Sequence, residues 1–242
     1  MLVVDGNWIM FGVDPDDPSC LHSPKELVAF VNKAGFLPLF SNKIKGFSVE
    51  EMTVPENWWS GDPSADPWAW REEIARSGKL IYGKFFARKA GYISKKWFPL
   101  FANARRDGYD FDALWDDGKA KVKEKKIMDL FDEGDEYFSY EIKGRAGFGK
   151  GGEKNFDGCL TDLQMKTYLA VSDFKQRINS KGESYGWSVA LYSCPETIMG
   201  RDKVRSSYPE DPEESSRKII EHVMKLYDSD EKTVRKVLGG ML

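Results

Sequence analysis

The stretch from about Ile127 to Pro195 constrains the fold of this chain more than any other part of the sequence. Its pattern predicts a helix that ends near Gly134, a short helix that Ser139 can cap, a turn rich in glycine and lysine, and a longer helix. Two strands of alternating side chains, joined by a tight basic turn, then follow. That order of elements is typical of a winged helix, which combines a helix-turn-helix with a β-hairpin wing. We therefore expect an α+β protein with a winged helix at its centre.

The longer helix of this stretch is predicted to span about residues 156–167, with an inward and an outward side. Residues at spacings of four, three and four should pack against a core: Phe156, Leu160, Leu163 and Thr167. The side chains expected to point away from that side, and so to face a DNA groove, are Thr161, Gln164, Met165 and Tyr168.

The two strands that follow form the predicted wing. Residues 169–178 alternate so that Lys175 and Arg177 share one side, and residues 179–183 fit a hairpin turn that carries Lys181. Basic side chains on a wing are placed to hold phosphates. We predict nucleic-acid contacts at Lys150, Lys154, Thr161, Gln164, Lys166, Tyr168, Lys175, Arg177 and Lys181.

The flanks of the winged helix make up two further segments. We expect a tryptophan-rich mixed α/β segment over residues 1–117, the winged-helix domain over 118–200, and a C-terminal helical extension over 201–242. The apolar face of the C-terminal helices suits packing on the main body or on a second copy of the chain. A homodimer through these helices is therefore one predicted partner, beside DNA.

Capping signals mark the ends of several helices in these flanks. Ser23 and Gly35 are expected to begin and end one helix, and a second, short helix is expected to start at Glu72. In the C-terminal extension, helices are expected to begin at Asp211 and near Asp230.

Four tryptophans, Trp58, Trp59, Trp68 and Trp70, invite a functional interpretation. Their rings could stack on a base, a sugar or a flat cofactor. Large aromatic side chains more often pack a core and find partners for the indole N–H, so core packing is the preferred interpretation.

An acidic cluster lies at residues 107–117 and includes Asp112. Paired carboxylates could serve acid–base chemistry or hold a metal, although capping and solvated turns are their commoner uses. The spacing does not fit a calcium loop. Arg105 and Arg106 beside the cluster fit either a structural ion pair or a phosphate contact.

Residues 144–155 nearly match a phosphate-binding P-loop. Gly144, Gly149 and Lys150 hold the expected positions, but Gly151 replaces the magnesium-binding Ser or Thr, and no apolar strand precedes the loop. A flexible basic loop is the better interpretation, and its backbone N–H groups can still meet a phosphate.

Composition excludes several classes of protein. The 242 residues are rich in charged and aromatic side chains, as in a globular protein, and no apolar run approaches the length of a membrane span. Two histidines leave no histidine triad, and three cysteines without metal-ligand spacing favour a reduced cytoplasmic protein. We predict no cofactor, no metal and no membrane partner.

Net charge limits the strength of any DNA binding. The chain carries −3 at pH 7, which argues against a histone-like binder. Residues 139–184 hold eight Lys or Arg and six Asp or Glu, a small basic excess that predicts modest binding with a shallow salt slope. A winged helix of this charge can also serve protein–protein contacts.

Four stretches carry a family resemblance: DPWAWREEIARSGKLIYGKFF, WFPLFANARRDGYDFDALW, GFGKGGEKNFDGCLTDLQMKTYL and YGWSVALYSCPE. Over about residues 36–196 the chain resembles bacterial proteins described as AlkZ-related. These proteins are linked to the AlkZ-like winged-helix DNA glycosylases, which remove alkylated or crosslinked bases. The resemblance implies a DNA-binding protein that acts in or near the repair of alkylation damage.

The same resemblance bears on catalysis. The glycosylases use a Gln–apolar–Gln or Gln–apolar–Asp motif to position the water that attacks the sugar carbon. The similar triplet here is Gln164-Met165-Lys166, in which a lysine replaces the second polar acceptor. If the chain is a hydrolase of this class, Gln164 or an aspartate such as Asp112 would orient the water.

Three functions follow, in order of preference. The first is a DNA-binding protein whose third helix enters the major groove while the wing holds phosphates. The second is a DNA glycosylase in which a flipped base stacks on the tryptophan-rich segment. The third is a non-enzymatic module that binds protein.

Overall fold

The structure is a computed structural model, and it describes residues 2–4, 7–131, 135–179 and 181–240. Its strands are β1 (Leu2–Val4), β2 (Asn7–Ile9), β3 (Phe36–Pro38), β4 (Leu80–Phe86), β5 (Lys89–Ser94), β6 (Tyr137–Phe138), β7 (Ala170–Ile178) and β8 (Ser184–Ser193). Its α-helices are α1 (Pro24–Ala34), α2 (Pro67–Ser77), α3 (Phe98–Arg106), α4 (Phe111–Asp116), α5 (Val122–Met128), α6 (Ser139–Arg145), α7 (Phe156–Met165), α8 (Pro195–Met199), α9 (Arg201–Val204), α10 (Pro212–Leu226) and α11 (Glu231–Leu238).

A six-stranded antiparallel sheet organises this mixed α/β protein, in the order β3-β5-β4-β7-β8-β6. Strands β3 to β5 form one half and strands β6 to β8 form the other. The halves meet where Tyr82 of β4 pairs with Val171 of β7. The predicted boundary between residues 117 and 118 therefore divides strands that belong to one sheet, and one hydrophobic core runs under both halves.

Several helices begin and end where the capping signals predict. The Ser23 hydroxyl accepts the N–H of Glu26 at 3.2 Å at the start of α1, and Gly35 ends that helix with a φ of +94°. Asp211 caps α10, accepting the N–H of Glu213 at 2.7 Å, and Asp230 caps α11 in the same way. These predictions are confirmed.

Other boundaries differ from the predictions. Helix α2 starts at Pro67 rather than Glu72, because Asp66 caps it by accepting the N–H of Trp68 at 2.8 Å. Phe138, not Ser139, occupies the capping position of α6. Helix α5 ends at Met128, and the helix end predicted near Gly134 lies outside the described residues.

The tryptophan-rich segment is mostly part of the core. Trp58 and Trp70 are buried, and their indole N–H groups donate to Thr53 Oγ1 at 3.0 Å and to the carbonyl of Ser64 at 2.8 Å. Core packing is thus confirmed for these two rings. Trp59 is exposed and contacts the rings of Trp58 and the half-buried Trp68.

Arg106 links α3 to the C-terminal half of the chain. Its buried guanidinium donates to the Glu196 carboxylate at 2.5 Å, to the carbonyl of Thr167 at 2.5 Å and to the Tyr208 hydroxyl at 3.2 Å. Burial opposes the charge, but the Glu196 carboxylate raises the pKa of Arg106 above its ordinary value. This arrangement favours the structural interpretation of Arg106 over a phosphate contact.

Arg105 is buried on the same helix, without a carboxylate partner among the described residues. It donates to the carbonyls of Phe85 at 2.8 Å and Leu238 at 2.9 Å, which ties α11 to β4. Burial lowers the pKa of Arg105 to about 9. Arg105 therefore also serves the fold.

Among the residues that the structure describes, none of the helices has the length and apolar character needed to cross a membrane.

We predict that Arg106→Met lowers the free energy of unfolding by about 3 kcal/mol, because it leaves Glu196 and the Thr167 carbonyl without their partner. Urea denaturation measures the change. Arg217→Met is the matched control, since Arg217 pairs with Glu214 and Glu221 on the surface and exposed pairs contribute little. Equal unfolding midpoints for the two variants would contradict the prediction.

We also predict a loss of stability in alkali. Burial raises the pKa of Tyr82 and of Tyr192 to about 12. The raised pKa favours the neutral phenol in the folded state. That contribution is complete below a pH of about 10, the ordinary tyrosine value, and is lost as the pH rises towards 12. Tyrosinate absorbance and circular dichroism should therefore change together over this range; full ionisation with unchanged dichroism would contradict the prediction.

Candidate nucleic-acid interface

The hairpin of β7 and β8 ends in an exposed arm, which we define as residues 175–179 and 181–187. Strand β7 is buried up to Phe174 apart from the half-buried Asp173, and from Lys175 onwards its side chains face solvent. All described residues of the arm are exposed except Asn179, which is half-buried. The arm therefore offers a surface free for a partner.

The turn of the arm is held by the side chain of Asn179. Its Oδ1 accepts the backbone N–H groups of Lys181 at 2.9 Å and Glu183 at 3.0 Å, and its Nδ2 donates to the Glu183 carboxylate at 2.9 Å. Gly182 supplies the positive φ of +80°. The predicted hairpin turn is confirmed, except that Ser180 lies outside the described residues.

A bulge in β8 presents Trp187 to solvent. Lys175 pairs with Val189 but Arg177 pairs with Tyr185, so three residues of β8 oppose one residue of β7. Gly186 accommodates the bulge with a φ of +71°. As a result the Trp187 side chain is 80% exposed, an unusual position for the largest side chain.

The charges of the arm favour an anionic partner. It carries three basic side chains, Lys175, Arg177 and Lys181, and one acidic side chain, Glu183. At the base of the arm, Asp173 accepts from Arg76 Nε of α2 at 2.9 Å, so this carboxylate is already neutralised. The arm is thus locally positive in a chain whose net charge is −3.

Aromatic and basic side chains continue from the arm onto α6. The exposed ring of Tyr140 stacks on Phe138 with a centroid distance of 5.2 Å, and the Arg177 guanidinium lies 5.3 Å from the Tyr140 ring centre. Lys143 and Arg145 are exposed on the same helix. A cation next to a stacked ring is the combination that binds both phosphates and bases.

Helix α7 does not present the side chains predicted to face a groove. Thr161 is 6% exposed, Gln164 1% and Tyr168, just after the helix, 3%. Met165 is buried as well, and the predicted outward orientation is wrong for all four residues. The reason is that α7 packs against β4 on one side and against α5 on another, so both its apolar and its polar residues are covered.

Gln164 completes the hydrogen bonding of an irregular strand. The pairing of β4 with β5 shifts register between Gly83 and Phe86, and the Lys84 N–H in that interval donates to Gln164 Oε1 at 3.0 Å. Gln164 Nε2 donates to the Leu160 carbonyl at 3.2 Å. The amide that the family resemblance assigned to a catalytic water therefore holds α7 against the sheet.

Lys166 and Tyr168 also have internal partners. Lys166 Nζ lies 2.8 and 2.7 Å from the two carboxylate oxygens of Glu124, a fully buried side chain of α5. The Tyr168 hydroxyl donates to the Tyr109 carbonyl at 3.2 Å, and burial raises the pKa of Tyr168. The polar groups of Lys166 and Tyr168 are therefore engaged within the protein rather than directed outwards to meet a DNA groove.

The remaining basic candidates lie in the loop before α7. Lys150 and Lys154 are exposed there, as expected for a basic loop. Lys123 of α5 donates to the Lys154 carbonyl at 3.2 Å, and Glu153 pairs with Lys123 and Lys126. Contact of Lys150 and Lys154 with DNA stays a prediction.

Asp112 and Gln164 lie in different surroundings. The Asp112 side chain is 89% exposed, with Lys125 Nζ 3.9 Å away. It lines a pocket of about 170 Å³ together with Arg106, Glu196 and Cys194, and Gln164 is not part of that lining. Burial raises the pKa of the Cys194 thiol to about 12, so this cysteine is no ready nucleophile.

A metal centre is not evident within the described ranges, where His, Cys, Asp and Glu side chains do not gather in threes.

We predict that Gln164→Met, which keeps the side-chain volume but removes the amide, lowers the free energy of unfolding by about 1–3 kcal/mol. The cause is the unpaired N–H of Lys84 in β4. Thermal or urea unfolding measures the loss. Gln176→Met on the exposed arm is the control and should leave stability unchanged; a Gln164 variant as stable as this control would contradict the structural role.

Comparison with known proteins adds one match. The model of a protein family described as AlkZ related matches residues 21–239, which includes the C-terminal helices as well as the sheet. No curated protein and no solved structure matches the chain.

Proposed function

The chain belongs to the AlkZ-related family, and we propose that it binds DNA through the arm, in or near the repair of alkylated bases. The observation that carries the proposal is Trp187, held at 80% exposure by a bulge among basic side chains. An exposed tryptophan can stack on an unpaired base or enter a groove, while neighbouring cations hold phosphates.

We propose further that residues 122–193 form a winged helix. Two features support this assignment. The elements follow the order α5, β6, α6, α7, β7, β8, and β8 lies between β6 and β7 in the sheet. The arm would then be the wing. Because α7 is covered on both sides, this winged helix would bind DNA through its wing rather than through its third helix.

The positive charge of the proposed interface is local. Lys175, Arg177 and Lys181 belong to the arm, and Arg145 lies on α6 with its guanidinium 4.7 Å from the ring centre of Tyr137. Each lysine or arginine that meets a phosphate releases about one counterion, so a few such contacts give modest, salt-sensitive affinity. Phosphate contacts of this kind fix the position of a protein on the DNA backbone. Stacking by Trp187 would give the protein a preference for DNA with unstacked bases.

A DNA glycosylase is the second candidate, and it rests on family membership. Asp112 is the accessible one of the two candidate catalytic side chains, since both ends of the Gln164 amide are engaged. Base release from alkylated DNA that is lost in Asp112→Asn would support this candidate.

A protein-binding module is the third candidate, because exposed aromatic residues such as Tyr185 and Trp187 also suit protein interfaces.

A homodimer would use the part of α10 that the main body leaves open. Helix α10 packs on α3, and Met224 and Leu226 remain exposed.

The cytoplasm is the proposed location, since Cys20, Cys159 and Cys194 are unpaired thiols.

We predict salt-dependent binding of a short fluorescent duplex, measured by anisotropy across a salt series, with tighter binding to a duplex that contains an abasic site. Trp187→Ala should weaken binding about tenfold, and more on the abasic duplex, because one stacking contact is lost. Changing Lys175 and Arg177 together to glutamine should reduce the salt slope by about 1–2.

Two variants serve as controls for this experiment. Lys232→Gln changes an exposed charge on α11, and Val122→Ala changes an exposed apolar residue on α5; both lie outside the arm. Neither should alter affinity. Binding that is absent at low salt, or equal for wild type and the arm variants, would reject the proposal and turn the search towards protein partners.

A further inference from the structure

A second concave surface lies where β3, the turn between β4 and β5, and α11 come together. It is a pocket of about 540 Å³, within the range of about 300–1,000 Å³ typical of small-molecule sites. Phe86, Pro38 and Val237 are buried and form an apolar floor, and Phe40 and Phe11 add two aromatic walls. The pocket thus offers an apolar surface for an apolar or aromatic group.

The floor of this pocket is rigid. The Phe86 ring lies 6.3 Å from Phe36, 6.5 Å from Phe47 and 6.4 Å from Phe101, measured between ring centres. Aromatic neighbours on several sides restrict its rotation. A ligand would therefore meet a surface that is already formed and would lose little free energy to ordering it.

Phe11 is held at the pocket although its ring is 41% exposed. Its backbone N–H donates at 3.0 Å to the carboxylate of Glu50, a fully buried side chain. The other oxygen of that carboxylate accepts the N–H of Ser41 at 2.8 Å, next to Phe40. One buried carboxylate thus positions both aromatic walls.

Three lysines stand around the apolar floor: Lys43, Lys89 and Lys236. All three are exposed, and their ammonium groups make no hydrogen bond or ion pair within the part of the chain that the structure describes. Many other lysines are paired, as Lys166 is with Glu124. The acidic residue of the lining, Glu51, is engaged by the Gly46 N–H at 2.9 Å and the Ser48 hydroxyl at 2.5 Å.

The turn between β4 and β5 fixes the positions of two residues that line the pocket, one on its floor and one lysine at its rim. Ala87 and Arg88 form this two-residue turn with φ of +46° and +69°, values that suit glycine or asparagine better. Arg88 is held by Asp162 and by a contact of its N–H with Met165 Sδ at 3.2 Å. The strained turn fixes Phe86 on the floor and Lys89 on the rim.

We infer that this pocket binds a small organic anion with an apolar or aromatic body and a carboxylate, sulfonate or phosphate group. The body would occupy the phenylalanine-lined floor, and the lysines would receive the charge. A neutral apolar molecule would leave the excess of positive charge uncompensated, and a simple inorganic ion would leave the floor unused. The site shares no residue with the arm, so the inference does not rest on the proposed DNA binding.

Anilinonaphthalene sulfonate is a suitable probe, because it is an aromatic sulfonate whose fluorescence rises when it leaves water. We expect one saturable site in the native protein. Changing Lys43, Lys89 and Lys236 together to glutamine should raise the dissociation constant about tenfold or more, since three attractive charges are lost. Arginine at the same three positions should restore binding, and Lys232→Gln should have no effect.

Phe11→Ser tests the apolar part of the site, because this exposed ring can be removed with little effect on the core. It should weaken probe binding without changing the circular dichroism spectrum. Decanoate should displace the probe, whereas decanol at equal concentration should not.

Three results would overturn the inference. The first is probe binding that is absent or unchanged in the glutamine variant, and the second is displacement by decanol as effective as by decanoate. The third is a loss of duplex binding in the glutamine variant as large as in Trp187→Ala, which would assign the lysines to the DNA backbone. Normal duplex binding together with loss of probe binding would support the inference.

Discussion

The short seam between β4 and β7 determines how the neighbouring helices of this protein must pack. These strands join the two halves of the sheet through the pair of Tyr82 and Val171. Because this ladder is short, side-chain hydrogen bonds reinforce it. Gln164 accepts from Lys84 beside the seam, and Arg76 of α2 donates to Asp173 and to the carbonyl of Phe174. Helix α7 packs against β4 beside this seam, and most of its side chains are therefore buried rather than exposed at the surface.

The position of α7 decides which surface remains for a partner. Helix α7 is buried against β4 and cannot read base edges, so in the proposed DNA complex the contacts would fall to the arm. The hairpin is long enough to leave the core after Phe174, and the bulge at Gly186 directs Trp187 outwards. The same helix that stabilises the sheet thereby leaves the arm as an exposed aromatic and basic surface of this half of the protein.

Local signals in the sequence predicted the elements well. Capping residues such as Ser23 and Asp211 mark helix starts by a short-range hydrogen bond, so they can be read without the fold. The side of α7 that faces the core could not be read in this way. Thr161 and Gln164 are polar, and periodicity assigns polar residues to solvent unless a distant strand supplies their partners.

Long-range contacts and strand register explain the other differences. Glu124 is buried because Lys166, far along the chain, neutralises it, and Arg106 meets Glu196 only once the C-terminal half has packed. Alternation along β8 suggested one regular strand, whereas Gly186 permits a bulge that exposes Trp187. The pocket around Phe86 combines residues from β3, β5 and α11, so no single stretch of sequence reveals it.

We propose that the arm, and not α7, is the surface that meets DNA. Hydrogen–deuterium exchange of the protein with and without a short duplex containing an abasic site distinguishes these two surfaces. DNA should slow exchange in residues 175–187 and in α6, while the amides of α7 should be unchanged because they are already protected. Slower exchange confined to α7, with an unchanged arm, would contradict it.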